Sequence, residues 1–224
     1  MATFEDIKGF VFDLDGVITD TAAFHTQAWH QVADKVGVEW DDQLGDALKG
    51  ISRMDSLNLI LERGNKENAF TEDEKVSLAT EKNENYLTLV NQMTPANILP
   101  GISEFLVALQ DQGYQMSLAS ASKNSPLVLK NLGLSRFFTK AVDPTTLKHG
   151  KPDPEIFRRG AELLALDPSQ CIGVEDAAAG VAAINAAGET SIGIGNPETL
   201  ASADINFTKT TLLTLDNIKS AMDR

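Results

Sequence analysis

Residues 8–16, KGFVFDLDG, decide the fold. A short aromatic and β-branched run, the composition of a buried strand, breaks at Asp13 into Asp-Leu-Asp-Gly, the pattern of a strand ending in a functional loop. Runs of the same kind recur at Tyr114–Ser120 (YQMSLAS), Phe138–Asp143 (FTKAVD), Cys171–Glu175 (CIGVE) and Thr190–Ile194 (TSIGI). Helical patterns lie between them. Ile102, Phe105, Leu106 and Leu109 fall at i, i+3, i+4 and i+7 before a stop at Gly113. Asn124-Ser125-Pro126 opens another helix, closed by Gly133, and Asp153-Pro154-Glu155 reads as N-cap, N1 proline and first-turn acid. Strands alternating with helices predict an α/β fold, a doubly wound, Rossmann-like and mostly parallel sheet.

From about Ala22 to Met93 the alternation stops, and only helical signals remain. Thr71-Glu72-Asp73-Glu74 is a capping box, and Val76, Ala79, Leu87 and Val90 give the helix behind it an apolar side. The expected division is a catalytic core from residues 1–19 and 94–224, with a helical cap, residues 20–93, inserted after the first strand. Linkers near Asp20 and near Thr94-Pro95 would serve as hinges, making the insert a lid.

Nineteen Lys and Arg against 32 Asp and Glu give a formal charge of −13, so no basic stripe is available for a nucleic-acid backbone and anionic membranes are repelled. No apolar run approaches the roughly 18 residues of a membrane span, and MATFEDIKGF lacks the features of a signal peptide. The expected setting is the cytoplasm, with small molecules as partners and the chain a monomer. A single cysteine, Cys171, has no internal disulfide partner and is expected to be a buried strand residue.

In open α/β sheets ligands bind beyond the carboxyl ends of the strands. Those ends collect Asp13, Ser120 and Glu175-Asp176, and Lys151-Pro152 follows the Phe138–Asp143 run by a short loop. Three carboxylates and a lysine describe a site for a divalent cation and a phosphate, and Mg²⁺, which prefers hard oxygen ligands, suits Asp13 and Asp176. Asp13 and Asp15 stand two apart in extended chain and face the same side, so one can attack phosphorus while the other handles a proton. The same Asp-Leu-Asp-Gly also reads as a turn with solvated acids. Ser120-Ala121-Ser122-Lys123-Asn124 leads from a strand into a helix, where its N–H groups and hydroxyls would cradle a phosphate or merely cap the helix. Lys151 alone reads equally as a solvated lysine.

Taken together and in order, Asp13-Leu-Asp-Gly-Val, Ser120, Lys151-Pro152-Asp153-Pro154 and Glu175-Asp176 resemble the four motifs of the haloacid dehalogenase superfamily across the whole core. The resemblance implies that Asp13 is the nucleophile and Asp15 the general acid/base, and that Ser120 and Lys151 hold the transferring phosphate. It implies a Mg²⁺ site of Asp13, Asp176 and the Asp15 carbonyl, with Glu175 acting from behind.

Within the superfamily the likeness narrows to its sugar phosphomutases. It is carried by His25 and Trp29, by Leu48-Lys49-Gly50-Ile51-Ser52-Arg53, by Lys82-Asn-Glu-Asn-Tyr86 and by Ser120-Ala121-Ser122-Lys123-Asn124. By that likeness Arg53, Ser122 and Asn124 grip the phosphate that is not transferred, Lys82 and His25 face the sugar, and Lys49 and Gly50 line it. The implied activity interconverts β-D-glucose 1-phosphate and glucose 6-phosphate through β-glucose 1,6-bisphosphate. Apart from the likeness, Arg53 and Lys82 read as residues on solvated helix faces. A mutase needs a second phosphate site and a phosphatase does not, so a sugar-phosphate phosphatase of the same superfamily is the alternative. A non-catalytic sugar-phosphate sensor is a further one, against which intact Asp13, Asp15 and Asp176 count. One departure is Ala177, where relatives often carry Ser.

Overall fold

The computed structural model describes residues 3–48 and 52–223. Two compact units emerge. Thr21–Met93 forms one, and the residues up to Asp20 join those from Thr94 onward in the other.

The larger unit is built on five parallel strands, β1 (Gly9–Phe12), β2 (Gln115–Leu118), β3 (Cys171–Glu175), β4 (Thr190–Ile194) and β5 (Ile205–Phe207), in the order β2-β1-β3-β4-β5. The chain leaves β1 for β2 on one side and returns to β3 on the other. This reversal of direction opens a crevice beyond the carboxyl ends of β1 and β3.

All four β1 residues are buried. Successive side chains alternate between faces. Phe10 and Phe12 meet Phe105 edge-on at 5.7 and 6.1 Å, with Phe12 also against Phe138 at 5.6 Å. Val11 joins the opposite layer with Phe157, Ala161, Cys171 and Ile184. Nine helices are described: α1 (Ala22–Lys35), α2 (Asp42–Ala47), α3 (Arg53–Arg63), α4 (Glu72–Val90), α5 (Ile102–Asp111), α6 (Ser125–Asn131), α7 (Glu155–Leu164), α8 (Ala178–Ala187) and α9 (Leu215–Met222). The first four make up the smaller unit, in which Trp29, Val32, Leu57, Ile60, Leu61 and Ala79 share a core. Among the described residues no helix is long and apolar enough to cross a membrane.

The structure departs from the sequence reading in four places. Phe138–Asp143 is not a strand: it makes a single bridge, Leu118 to Ala141, flanked by N–H donations from Leu118 to Lys140 and from Val142 to Leu118. Its apolar content lies in Phe138 and Val142, whose side chains are buried in the core. Asp143 then accepts from the Thr145 N–H and hydroxyl, turning the chain at Pro144, which has no N–H to extend a ladder. The fifth strand is instead β5, three residues too short to show a pattern. The N-cap of α7 is Pro154, with Asp153 accepting from the Glu155 N–H at 2.9 Å, one residue later than expected. Val76, assigned to the apolar side of α4, is 56% exposed. The capping box at Thr71 and Glu74 forms, and Cys171 is buried in β3, where burial pushes its thiol up to about 12.

Glu189, between α8 and β4, is buried, and neither carboxylate oxygen has a hydrogen-bond partner among the described residues. Burial holds its carboxyl well above the ordinary carboxylate range. An acid whose folded-state pKa is raised binds more protons folded than unfolded, so stability falls as pH rises above the unfolded value. Glu189→Gln is therefore expected to melt higher than the wild type at pH 7. The gap should grow by about 1.4 kcal/mol per pH unit above roughly pH 4.3 and close below it. Calorimetric melts between pH 4 and 8 check this; a gap that does not vary with pH would refute it.

Candidate active site

The crevice is furnished from three directions. Asp13 follows β1 directly, and its N–H still donates to Val174 in β3, so the buried carboxylate leaves the sheet edge in a fixed direction. Glu175 ends β3. Lys151 arrives from the loop before α7, through a cis peptide to Pro152, and its ammonium bridges the two acids, 2.6 Å from Asp13 Oδ1 and 2.7 Å from Glu175 Oε1. The same Nζ lies 5.1 Å over the Phe157 ring.

Glu175 uses its other oxygen, Oε2, to accept from the N–H groups of Asp176 and Ala177 at 2.6 and 3.1 Å, which fixes the turn into α8. Gly180 makes room for it, because a Cβ there would sit 1.7 Å from Glu175 Oε1. No sequence pattern marks Gly180, which passes for one more small residue in an Ala-rich helix.

Asp176 completes the cluster: one oxygen from each of Asp13, Glu175 and Asp176 lies within 4.8 Å of the others. Asp176 is exposed as a residue, yet its carboxylate presses on Gly16, where a Cβ would stand 2.0 Å from Oδ2. Gly16 also has φ of +72°, so glycine is required there twice over. Its N–H donates to the Thr19 carbonyl, closing the half-buried Asp15 into a tight loop.

Four acids, with Asp15, face one lysine. Burial, partly offset by Lys151 and reinforced by Glu175 and Asp15, raises the Asp13 carboxyl to about 7. Burial and then Glu175 and Asp13 raise Asp176 to about 8. Burial works against the Lys151 charge, but Asp13 and Glu175 outweigh it and hold its pKa above the usual lysine range. The donors are all hard oxygens with negative charge in excess, the composition that a divalent cation such as Mg²⁺ fits.

Ser120 lies at the same end of the sheet. The Ala119 N–H donates to the Phe12 carbonyl and extends β2 beside β1. Ser120 is buried, and its hydroxyl accepts from the Ser122 N–H at 3.2 Å, while the Ser122 hydroxyl accepts from Asn124 at 3.3 Å. Ala121 and Lys123 are exposed, and Asn124 precedes α6 without a side-chain cap bond.

In the smaller unit Lys82 of α4 is buried, 4% exposed, with Nζ 2.6 Å from His25 Nδ1 and 4.9 and 5.1 Å from the rings of Trp29 and Tyr86. His25 stacks on Tyr86 at 4.1 Å. Burial, then Lys82 and Arg53, push the imidazole down to about 3, so the neutral ring accepts from the ammonium at Nδ1. Arg53, which opens α3, donates to Asn83 Oδ1 at 2.7 Å. Lys49 and Gly50 lie outside the described residues.

The family model for haloacid dehalogenase-like hydrolases matches residues 7–188. The chain is 42% identical over 210 residues to the β-phosphoglucomutase of Bacillus subtilis strain 168, covering 94% of this chain and 93% of that one. A crystal structure of β-phosphoglucomutase from Clostridium difficile superposes with a TM-score of 0.92 at 46% identity, over 97% of each chain. More distant is the fructose-1-phosphate phosphatase YqaB of Escherichia coli strain K12, 28% identical over 85% of this chain and 98% of that one. With a sheet that reverses at β1 and a lysine shared by the acids ending β1 and β3, the matched span takes in every motif of the crevice, and the chain belongs to the haloacid dehalogenase-like hydrolase family.

Proposed function

We propose that the chain is a phosphomutase of this family that interconverts β-D-glucose 1-phosphate and glucose 6-phosphate through β-glucose 1,6-bisphosphate. The observation that carries phosphoryl transfer is the ammonium of Lys151 bridging Asp13 and Glu175 beside Asp176. Mutase over phosphatase rests on the 42% identity to a mutase and on the cations Lys82 and Arg53, suited to a substrate with an anion at each end.

The aspartyl phosphate on Asp13, first formed from catalytic bisphosphate, passes its phosphoryl group to the 6-hydroxyl of β-glucose 1-phosphate while Asp15 takes the hydroxyl proton as base, which gives β-glucose 1,6-bisphosphate and free Asp13. After the bisphosphate reorients, an Asp13 oxygen attacks the other phosphorus, the bond from that phosphorus to the C1 oxygen breaks, and Asp15 returns the proton to that oxygen, releasing glucose 6-phosphate and restoring the aspartyl phosphate. Lys151 donates to the oxygens of the moving phosphoryl group, and the N–H groups and hydroxyls of Ser120–Asn124 bind phosphate. Mg²⁺ held by Asp13, Asp176 and the Asp15 carbonyl would offset phosphate charge and favour ionised Asp13 at neutral pH. Glu175, with both oxygens engaged, orients Lys151 and the Asp176 turn. Exclusion of water from the aspartyl phosphate is assigned to the helical unit.

The test is a product-resolved assay with β-glucose 1-phosphate, Mg²⁺ and catalytic bisphosphate, with the α anomer as control. Glucose 6-phosphate from the β anomer supports the reading; stoichiometric inorganic phosphate without it favours the phosphatase. Arg53→Ala should raise KM for the bisphosphate about 10-fold or more, the worth of one charge-assisted hydrogen bond, and spare hydrolysis of a simple phosphate ester. Equal loss in both assays would contradict a role at the second phosphate.

Metal binding offers a separate check. With Asp13 raised to about 7 and Asp176 to about 8, the metal-free protein holds protons there at pH 7 that a divalent cation displaces. Titration with MgCl₂ in buffers of different ionisation enthalpy should show proton release, and EDTA should abolish turnover. Binding without proton release would mean that these acids are already ionised.

A further inference from the structure

Lys151 reaches Asp13 and Glu175 from a loop with no strand to hold it. Lys148, His149 and Gly150 are all exposed, so something other than burial must fix the path of the chain there. One carboxylate gathers the loop. Glu155 Oε2 accepts from the N–H of Lys148 at 2.8 Å and from that of His149 at 3.2 Å. Glu155 is the first residue of α7, so its backbone is anchored by the helix. Its own N–H is taken by Asp153 Oδ1, and the Asp153 N–H donates to Gly150, which closes the segment on both sides of Lys151. The other carboxylate oxygen, Oε1, lies 3.6 Å from Arg159 Nη2, one turn along α7, which keeps the group turned toward the loop. The Lys148 N–H, followed by that of His149 and the Arg159 charge, holds the carboxyl below its usual range, so it is an ionised acceptor at neutral pH.

We infer that Glu155 is a positioning residue for Lys151: by tying down the two N–H groups just before it, Glu155 sets the reach of the lysine that bridges the acids of the site. The inference rests on the reading above in that Lys151 is taken to serve phosphoryl transfer. A residue that acts on Lys151 from behind should affect the chemical step and leave substrate capture alone, and any residue that keeps an acceptor oxygen at the same reach should replace it.

The experiment compares the full-length wild type, Glu155→Ala and Glu155→Gln in saturating Mg²⁺, reading kcat, KM for the bisphosphate, Tm and amide hydrogen exchange at Lys148 and His149. In Glu155→Ala, kcat should fall about 10- to 100-fold, the usual loss when a supporting partner of a site is removed, with KM unchanged. Exchange at both amides should speed up. Glu155→Gln should recover most of the rate and slow the exchange again. Wild-type kcat in Glu155→Ala, or unchanged exchange at both amides, overturns the inference. So does an equal loss of rate in both variants that tracks a fall in Tm, which would assign Glu155 to helix stability alone. If the wild type hydrolyses phosphate esters but forms no glucose 6-phosphate, the mutase reading fails by itself, and the same comparison runs on hydrolysis, where Lys151 is needed equally.

Discussion

Asp13→Asn should abolish turnover and leave the protein folded, with a melting temperature at pH 7 at least equal to that of the wild type. An amide cannot form the aspartyl phosphate, and loss of a nucleophile costs on the order of 10⁴-fold or more in kcat. The stability half follows from the raised carboxyl of Asp13, caused first by burial and offset in part by Lys151. Because its folded value, about 7, exceeds the ordinary value of about 3.9, wild-type stability falls as pH rises across that interval. The Asn variant does not titrate there, and its amide oxygen can still accept from Lys151. The checks are a coupled glucose 6-phosphate assay and calorimetry from pH 4 to 8. Turnover near the wild-type rate would remove Asp13 from the chemistry, and a large fall in Tm would show that its charge holds the fold together.

Lys151→Met should be damaging on both counts. Methionine retains an unbranched stem to pack against Phe157 but leaves Asp13 and Glu175 without their shared cation, in a setting where the three side chains are only 13%, 10% and 2% exposed. Removing one partner of a buried ion pair costs about 3–5 kcal/mol. Because the folded pKa of Lys151 is raised, its contribution is fully present below the ordinary lysine range and is lost only as pH climbs through the folded value. The variant therefore lacks all of it at neutral pH, and the deficit should shrink toward pH 5 as Asp13, whose carboxyl is raised to about 7, takes up a proton. Loss of a donor to the phosphoryl oxygens adds about 10²- to 10³-fold in kcat. Chemical denaturation at pH 5 and pH 7.5 reads the first effect and steady-state kinetics the second; a deficit equal at both pH values would mean that the acids are compensated elsewhere.

The parts of the fold legible in the sequence are those where local and tertiary demands coincide. Strands β1, β3 and β4 must be apolar on both faces because helices cover both, and the loops after β1 and β3 announce themselves by sudden acidity. Phe138–Asp143 misleads because Phe138 and Val142 serve the core through their side chains while its backbone makes one bridge. The three residues of β5 are held by pairing to β4, a partner that no local pattern encodes. In the crevice, the acids and Lys151 can be nominated from spacing and likeness. Which oxygen meets which donor cannot, since Lys151 and Glu175 come together only through the crossover that α7 makes. Glu189 and Gly180 are silent because an acid with no hydrogen-bond partner among the described residues, and a glycine that makes room for the Glu175 carboxylate, are facts about how side chains are placed in the folded chain.

The pairing of β1 also constrains how the chain is made. Gly9–Phe12 leaves the ribosome ahead of both its partners, Gln115–Leu118 and Cys171–Val174. At about 5–20 residues per second, this wholly apolar strand waits on the order of ten seconds for its second neighbour. Thr21–Met93, contiguous and with its own apolar centre, has all its residues long before then. The nascent chain thus carries an unpaired, aggregation-prone ribbon until Cys171–Val174 has emerged, and slowing translation should expose it for longer.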